Sequence, residues 1–136
     1  MKAVAYSTKF LEKVFLAKAN TKKHDITLIS NSLSLETALY AEGKEAVLIY
    51  TQDDASAPVL DKLYQLGVKY LATRSVGCDH IDLARARALG IRVARVPGYP
   101  AFLTNMAMKK IAETTIYNLD CWKNGTVNDN EFTLSE

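Results

Sequence analysis

The chain has 136 residues, 49% of them hydrophobic and 24% charged, with a formal net charge of +2. That is the composition of an ordinary globular protein, one domain is the natural count, and a chain of this size buries roughly two thirds of its unfolded surface. It lacks the run of about 18 apolar residues that a membrane-spanning helix needs, and its interspersed charges leave no basic footprint for nucleic acid.

Short β-rich runs alternate with helical patterns. Met1 to Tyr6 leads straight into polar Ser7-Thr8-Lys9, which is not the pattern of a signal peptide. Lys2 to Ser7 reads as a first strand. Ser7 or Thr8 is placed to cap a helix on which Leu11, Val14 and Phe15 fall at i, i+3 and i+4. Asp25 to Ser30 is β-branched and apolar, a second strand. Ser34 starts a short helix through Leu35, Ala38 and Leu39 that ends at Gly43. Ala46 to Tyr50 is apolar throughout, as suits a strand buried on both faces of a parallel sheet.

Ser56 is a good N-cap, and Pro58 stands in the first turn, where its missing N–H costs nothing. Val59, Leu60, Leu63 and Leu66 form that helix's buried stripe, and Gly67 stops it. A fourth strand lies within Val68 to Arg74. Asp82 caps a helix through Leu83, Ala84, Ala86 and Leu89, ended by Gly90. Ile91 to Val96 is the fifth strand. Beyond Thr104, residues Met108, Ile111, Ala112, Thr115, Ile116, Leu119 and Trp122 make one continuous helical stripe, with Gly125 as its stop. Asn128-Asp129-Asn130 is turn chemistry, and Glu131 to Leu134 an extended end. Five strands separated by helices predict repeated βαβ units. The expected fold is therefore α/β, flavodoxin-like, with a five-stranded parallel sheet, helices on both faces and a long C-terminal helix.

Ligands of open parallel sheets bind at the carboxyl ends of the strands. Three strand-end segments qualify. Arg74-Ser75-Val76-Gly77-Cys78-Asp79-His80 places a glycine where the backbone can approach a ligand, and adjacent N–H groups there suit a carboxylate. Tyr50, before Thr51-Gln52-Asp53-Asp54, can offer a hydroxyl, and Tyr99 follows the fifth strand in the same way. In each case a plain turn or a half-buried tyrosine is the simpler reading.

His24, between a lysine pair and a strand, reads as an exposed loop residue. Asp79 beside His80 can raise the imidazole's pKa, but no nucleophile or second acid converges on it. Cys78 and Cys121, with no CxxC, read as reduced thiols rather than a disulfide framework or a metal site. Arg74, Arg85, Arg87, Arg92 and Arg95 read as solvated faces and ion pairs. No GxGxxG, P-loop, HExxH or GxSxG occurs.

Three segments carry a family resemblance. Residues 1–9, the stretch Gly67 to Leu83 around Arg74-Ser75-Val76-Gly77-Cys78-Asp79-His80, and Val96-Pro97-Gly98-Tyr99 resemble the D-lactate dehydrogenases of the NAD-dependent D-isomer-specific 2-hydroxyacid dehydrogenase family. The resemblance runs through residues 1–100. Beyond Pro100 the family continues into a Ser-Pro segment and a glycine-fingerprinted cofactor domain. Here Ala101-Phe102-Leu103-Thr104-Asn105 and the helix around Ile111 to Leu119 resemble instead the family's C-terminal return into the substrate domain. The resemblance thus implies a single substrate-binding domain over 1–136, assembled from pieces 1–100 and 101–136 with the join near Pro100-Ala101. An engineered shortening and a natural deletion would both produce such a join.

The resemblance implies substrate contacts at Tyr50, Ser75, Val76, Gly77 and Tyr99. The family's catalytic arginine, acid and histidine have no counterpart, and neither His24 nor His80 matches that histidine. The family uses NAD; no NAD or other cofactor, and no metal, is expected in this chain. The leading expectation is weak binding of a small 2-oxo or 2-hydroxy acid by a domain that is catalytically silent alone. A scaffold with no ligand, and half of an oxidoreductase needing a cofactor domain in trans, are the alternatives. No nucleic-acid or membrane partner is expected. The chain is expected to be a cytoplasmic monomer or weak homodimer, with Phe102 and Leu103 among the side chains that would favour association.

Overall fold

The computed structural model describes residues 1–98 and 105–132. β1 (Lys2–Ala5), β2 (Asp25–Leu28), β3 (Ala46–Ile49), β4 (Tyr70–Thr73) and β5 (Arg92–Ala94) form a parallel sheet in the order β2-β1-β3-β4-β5. Register is set by pairs such as Val4 with Val47 and Leu48 with Ala72. A sixth strand, β6 (Glu131–Phe132), pairs antiparallel with β5 through Val93 and Phe132. The expected α/β class and the five parallel strands are present. The expected strand count is one short, because the extended end beyond Asn130 found an edge to pair with.

The sheet divides two cores by side-chain alternation. On one face Val4, Val47, Ile49, Leu71 and Val93 pack under α2 (Ala57–Gln65) and α3 (Leu83–Leu89), with Val59, Leu60, Leu63 and Ala86 buried against them. On the other face the strands present small residues: Ala3, Ala5, Ala46, Ala72 and Ala94, with Leu48. α1 (Phe10–Asn20) and α4 (Asn105–Asn124) cover it and supply the bulk, through Leu16, Ala112, Ile116, Leu119 and Trp122. Small strand residues under large helix residues let both layers reach close packing.

Helix ends follow the sequence in part. The Asp82 side chain accepts from the Arg85 N–H at 3.0 Å, and Gly90, at φ 77°, closes α3 in the left-handed region that glycine enters without a Cβ penalty. Ser56 precedes α2, but its side chain makes no capping bond. Neither Ser7 nor Thr8 caps α1. Thr8 Oγ1 donates to the Ile29 carbonyl at 2.6 Å, while Glu12 Oε1 accepts from the Lys9 N–H at 3.2 Å. The stripe expected on α1 is displaced: Leu16 and Asn20 are buried, and Leu11 is exposed. The helix expected from Ser34 is a single 3-10 turn over Ala38–Ala41.

His24 is not the exposed loop residue the sequence suggested. Its side chain is fully buried, and Nε2 lies 2.7 Å from Asp120 Oδ1 on α4. Burial raises the Asp120 pKa, but hydrogen bonds from Lys23 and His24 outweigh it and hold the carboxyl below its ordinary value. Two residues further along α4, Trp122 stacks on Tyr70 with centroids 4.8 Å apart, and its indole N–H donates to Glu131 Oε1 at 2.8 Å. Arg92 grips the same carboxylate through Nε and Nη2 at 2.9 and 2.8 Å, which fastens β6 to the sheet. No helix among the described residues is long and apolar enough to cross a membrane.

Leu119 has no exposed surface. Leu119→Ala should therefore lower unfolding stability by about 2–5 kcal/mol in urea titration. A change under about 0.5 kcal/mol, the scale of surface substitutions, would mean that α4 is not part of this core.

Candidate functional site

The strand order reverses between β1 and β3, so the crevice at their carboxyl ends is where a sheet of this kind ordinarily receives a ligand. Here a side chain of the chain itself fills it. Asp53, 2% exposed, accepts from Ser7 Oγ at 2.5 Å and the Leu33 N–H at 2.8 Å through Oδ1, and from the Tyr50 N–H at 2.7 Å through Oδ2. One buried carboxylate thus binds the ends of β1 and β3 and the segment after β2. Ser7 sits at φ 56°, a left-handed conformation uncommon for a residue with a Cβ. Its N–H donates to the Asn31 carbonyl at 2.8 Å, and its carbonyl accepts from Arg74 Nη2 at 3.3 Å.

Arg74 was expected on a solvated face and is buried instead, 2% exposed. Nη2 also donates to the Tyr6 carbonyl at 2.8 Å, and Nε pairs with Glu12 at 3.2 Å. Its Nη1 has no partner among the described residues. Arg74 and Tyr50 line a cavity on the α1/α4 side, walled by Phe15, Leu16 and Ile111. The other arginines behave as the sequence suggested where their pairs are seen, with Arg85 on Asp61 at 2.7 Å and Arg92 on Glu131.

Free backbone donors lie one strand further along, after β4. The Arg74 N–H continues the ladder to the Ile49 carbonyl at 2.8 Å, and the Ser75 carbonyl accepts from Val96 at 3.2 Å. Among the described residues, the N–H groups of Ser75, Val76 and Gly77 have no protein acceptor. Val76 and Gly77 are exposed while Ser75 is buried, so solvent reaches the far end of this run of donors. Tyr50 stands at the adjacent strand end, half-buried. Tyr99 lies outside the described residues, as do Phe102 and Leu103.

Beneath the loop runs a polar chain that sequence reading missed. Thr73 Oγ1 is 2.5 Å from Ser75 Oγ and 3.1 Å from His80 Nε2, and Ser75 Oγ donates to the Gly77 carbonyl at 2.9 Å. Asp79 does not dominate His80: burial lowers the imidazole pKa below its ordinary value, against opposing contributions from Asp53 and Asp79. Burial also pushes the Cys78 thiol up, despite Arg95, which is the direction of an unreactive thiol. No group of three or more His, Cys, Asp or Glu that could hold a metal occurs among the described residues.

With this geometry in view, the chain can be compared with known proteins. Residues 4–132 match the sequence profile described as D-isomer specific 2-hydroxyacid dehydrogenase, catalytic domain. The chain belongs to the D-isomer specific 2-hydroxyacid dehydrogenase family. It is 42% identical over 100 residues to a D-lactate dehydrogenase of Escherichia coli, and 40% identical over 100 residues to a 2-hydroxyacid dehydrogenase homolog of Haemophilus influenzae. Each match covers 73% of this chain and 30% of the relative. The solved apo-structure of the Escherichia coli D-lactate dehydrogenase aligns with a TM-score of 0.71 over 73% of this chain and 32% of that one. The chain thus spans about a third of the length of the relatives it matches.

Two outcomes follow from the buried groups. Asp53→Ala strands three donors, and stability should fall by about 2 kcal/mol or more in urea titration. Wild-type stability there would mean that the carboxylate does not join these strand ends. His80 has a folded pKa below its unfolded value, so its contribution is full above about pH 6.5 and is lost as pH falls through the folded value. The stability of the wild type relative to His80→Gln should therefore drop on acidification below about pH 6.5, and parallel pH profiles would contradict this.

Proposed function

We propose that this chain is the substrate-binding domain of a D-2-hydroxyacid dehydrogenase, that it holds the carboxylate of a small 2-oxo or 2-hydroxy acid, and that it is catalytically silent alone. The observation that carries this reading is the run of free N–H donors at Ser75, Val76 and Gly77. Three such donors at one strand end can together receive an anion without a charged side chain. Tyr50, at the neighbouring strand end, and Tyr99 are proposed as further substrate contacts. The family membership and the names of the relatives, D-lactate dehydrogenase foremost, support a 2-oxo acid such as pyruvate as the ligand.

Binding is proposed to be weak. Backbone N–H groups in an open cleft lack the bidentate charged fork that makes strong carboxylate contacts. A millimolar dissociation constant corresponds to about 4 kcal/mol. Catalysis is proposed to need groups outside this chain. His24 is engaged by Asp120 and His80 by Thr73, which leaves no histidine to relay a proton to a ligand in the cleft.

The residues present do not fit a dinucleotide. The turn after β1, where a pyrophosphate-binding glycine would stand, is Ser7-Thr8-Lys9, and the Ser7 side chain is spent on Asp53. The chain is accordingly read as pieces 1–100 and 101–136 of one domain, without the unit that would carry NAD in a full-length relative.

Titration of labelled protein with pyruvate, followed by NMR, should move the Val76 and Gly77 amides first, with a midpoint in the millimolar range. Shifts confined to other regions would sink the assignment. Calorimetry with NADH should show no saturable heat, and NADH with pyruvate should show no loss of cofactor absorbance. Turnover by the chain alone would overturn the silent reading.

A further inference from the structure

We propose that His80 is a positioning residue for the carboxylate-binding loop: it donates its Nε2 proton to Thr73 and so sets a one-way chain of hydrogen bonds that ends on the Gly77 carbonyl. This inference rests on the reading of Ser75 to Gly77 as the ligand's seat.

Proton counting fixes the direction. A carbonyl only accepts, so Ser75 spends its single hydroxyl hydrogen on Gly77 at 2.9 Å. Two hydroxyl oxygens 2.5 Å apart need a hydrogen between them, and Ser75 has none left, so Thr73 donates to Ser75. Thr73 then has no hydrogen for His80. The 3.1 Å contact between Thr73 Oγ1 and His80 Nε2 must therefore be filled by a proton on Nε2. Thr73 is fully buried and Ser75 is 7% exposed, so solvent is a poor substitute for any member of the chain.

Two consequences follow. A nucleophile–base pair is excluded here, because Nε2 gives a proton to Thr73 and cannot take one from it. The loop also depends on the tether. A Cβ built at Gly77 would meet nothing within 4 Å, so that side of the residue faces open space, and a glycine backbone is intrinsically free. One end of the loop is held by β4. The other is held by the Ala55 N–H donating to the His80 carbonyl at 3.1 Å. The relay ties down the middle, with the Gly77 carbonyl drawn inward toward Ser75 and the neighbouring N–H groups left for the ligand. If Nε2 lost its proton, Thr73 would have to donate to it. Ser75 would then turn its own hydrogen to Thr73 and release Gly77. Holding the loop before the ligand arrives reduces the entropy lost on binding.

Long-range nitrogen–proton spectra of the neutral protein read the tautomer directly, and His80 should carry its proton on Nε2. A proton on Nδ1 alone would overturn the proposal. Nitrogen relaxation should show Val76 and Gly77 as ordered in the wild type and in His80→Gln, whose amide keeps a donor near the Nε2 position. Both should loosen in Thr73→Val and His80→Phe, and the pyruvate midpoint should rise about threefold to tenfold in those two variants only, as expected for the loss of one hydrogen bond. Unchanged loop order in both, with folding verified by spectral dispersion, would also overturn the proposal. A wild type that shows no pyruvate response would refute the ligand reading instead, while the tautomer and the relaxation still decide the relay.

Discussion

Everything at the carboxyl edge of the sheet is arranged around the Asp53 carboxylate. A buried negative charge is tolerated only when its lone pairs are occupied. Here Ser7, Leu33 and Tyr50 occupy them, from three different strand-end segments. The same bond helps to hold Ser7 in its left-handed conformation, and Arg74 grips the carbonyls of Tyr6 and Ser7 from the other side. The crevice between β1 and β3 is therefore closed by the protein's own side chains. The open donors stand after β4, where the ladder ends at Arg74 and no acceptor among the described residues meets them.

This displacement links the fold to the proposed function. The crevice that would cradle a cofactor in a sheet of the same order is structural here, and the residue three positions beyond Tyr50 is its plug. The loop from Ser75 to His80 is held at both ends and through its middle, yet it keeps its N–H groups unspent. A seat built from backbone donors recognises a carboxylate by shape and charge. It cannot supply a proton or a hydride. A substrate-binding role is consistent with that chemistry, and so is a chain that spans about a third of the length of its dehydrogenase relatives.

The two faces of the sheet are stabilised differently. Under α2 and α3 the strands contribute the branched residues, as in any parallel sheet buried on both sides. Under α1 and α4 they contribute alanines, and the helices fill the space. α4 is thus part of the core although it lies at the end of the sequence. Its C-terminal end is fastened twice, by Asp120 to His24 and Lys23 and by Trp122 to Tyr70 and Glu131.

The local pattern of the sequence determined the elements. Periodicity, an aspartate cap at Asp82 and glycine stops gave five parallel strands and their helices in order, because these signals act within a few residues of one another. The segment proposed to carry the site is also marked in the sequence, by a glycine after a strand and a run of residues that resembles the family's. Partnerships between distant segments were not legible. His24 lies 96 positions before Asp120, and nothing near it in the chain foretells burial. Arg74 reads as one surface arginine among several until Glu12 and two carbonyls surround it. Asp53 looks like turn chemistry, and Thr73, Ser75 and His80 look like loop residues. Tertiary structure decided these roles, because hydrogen-bond direction and burial depend on which strand ends the sheet order makes neighbours.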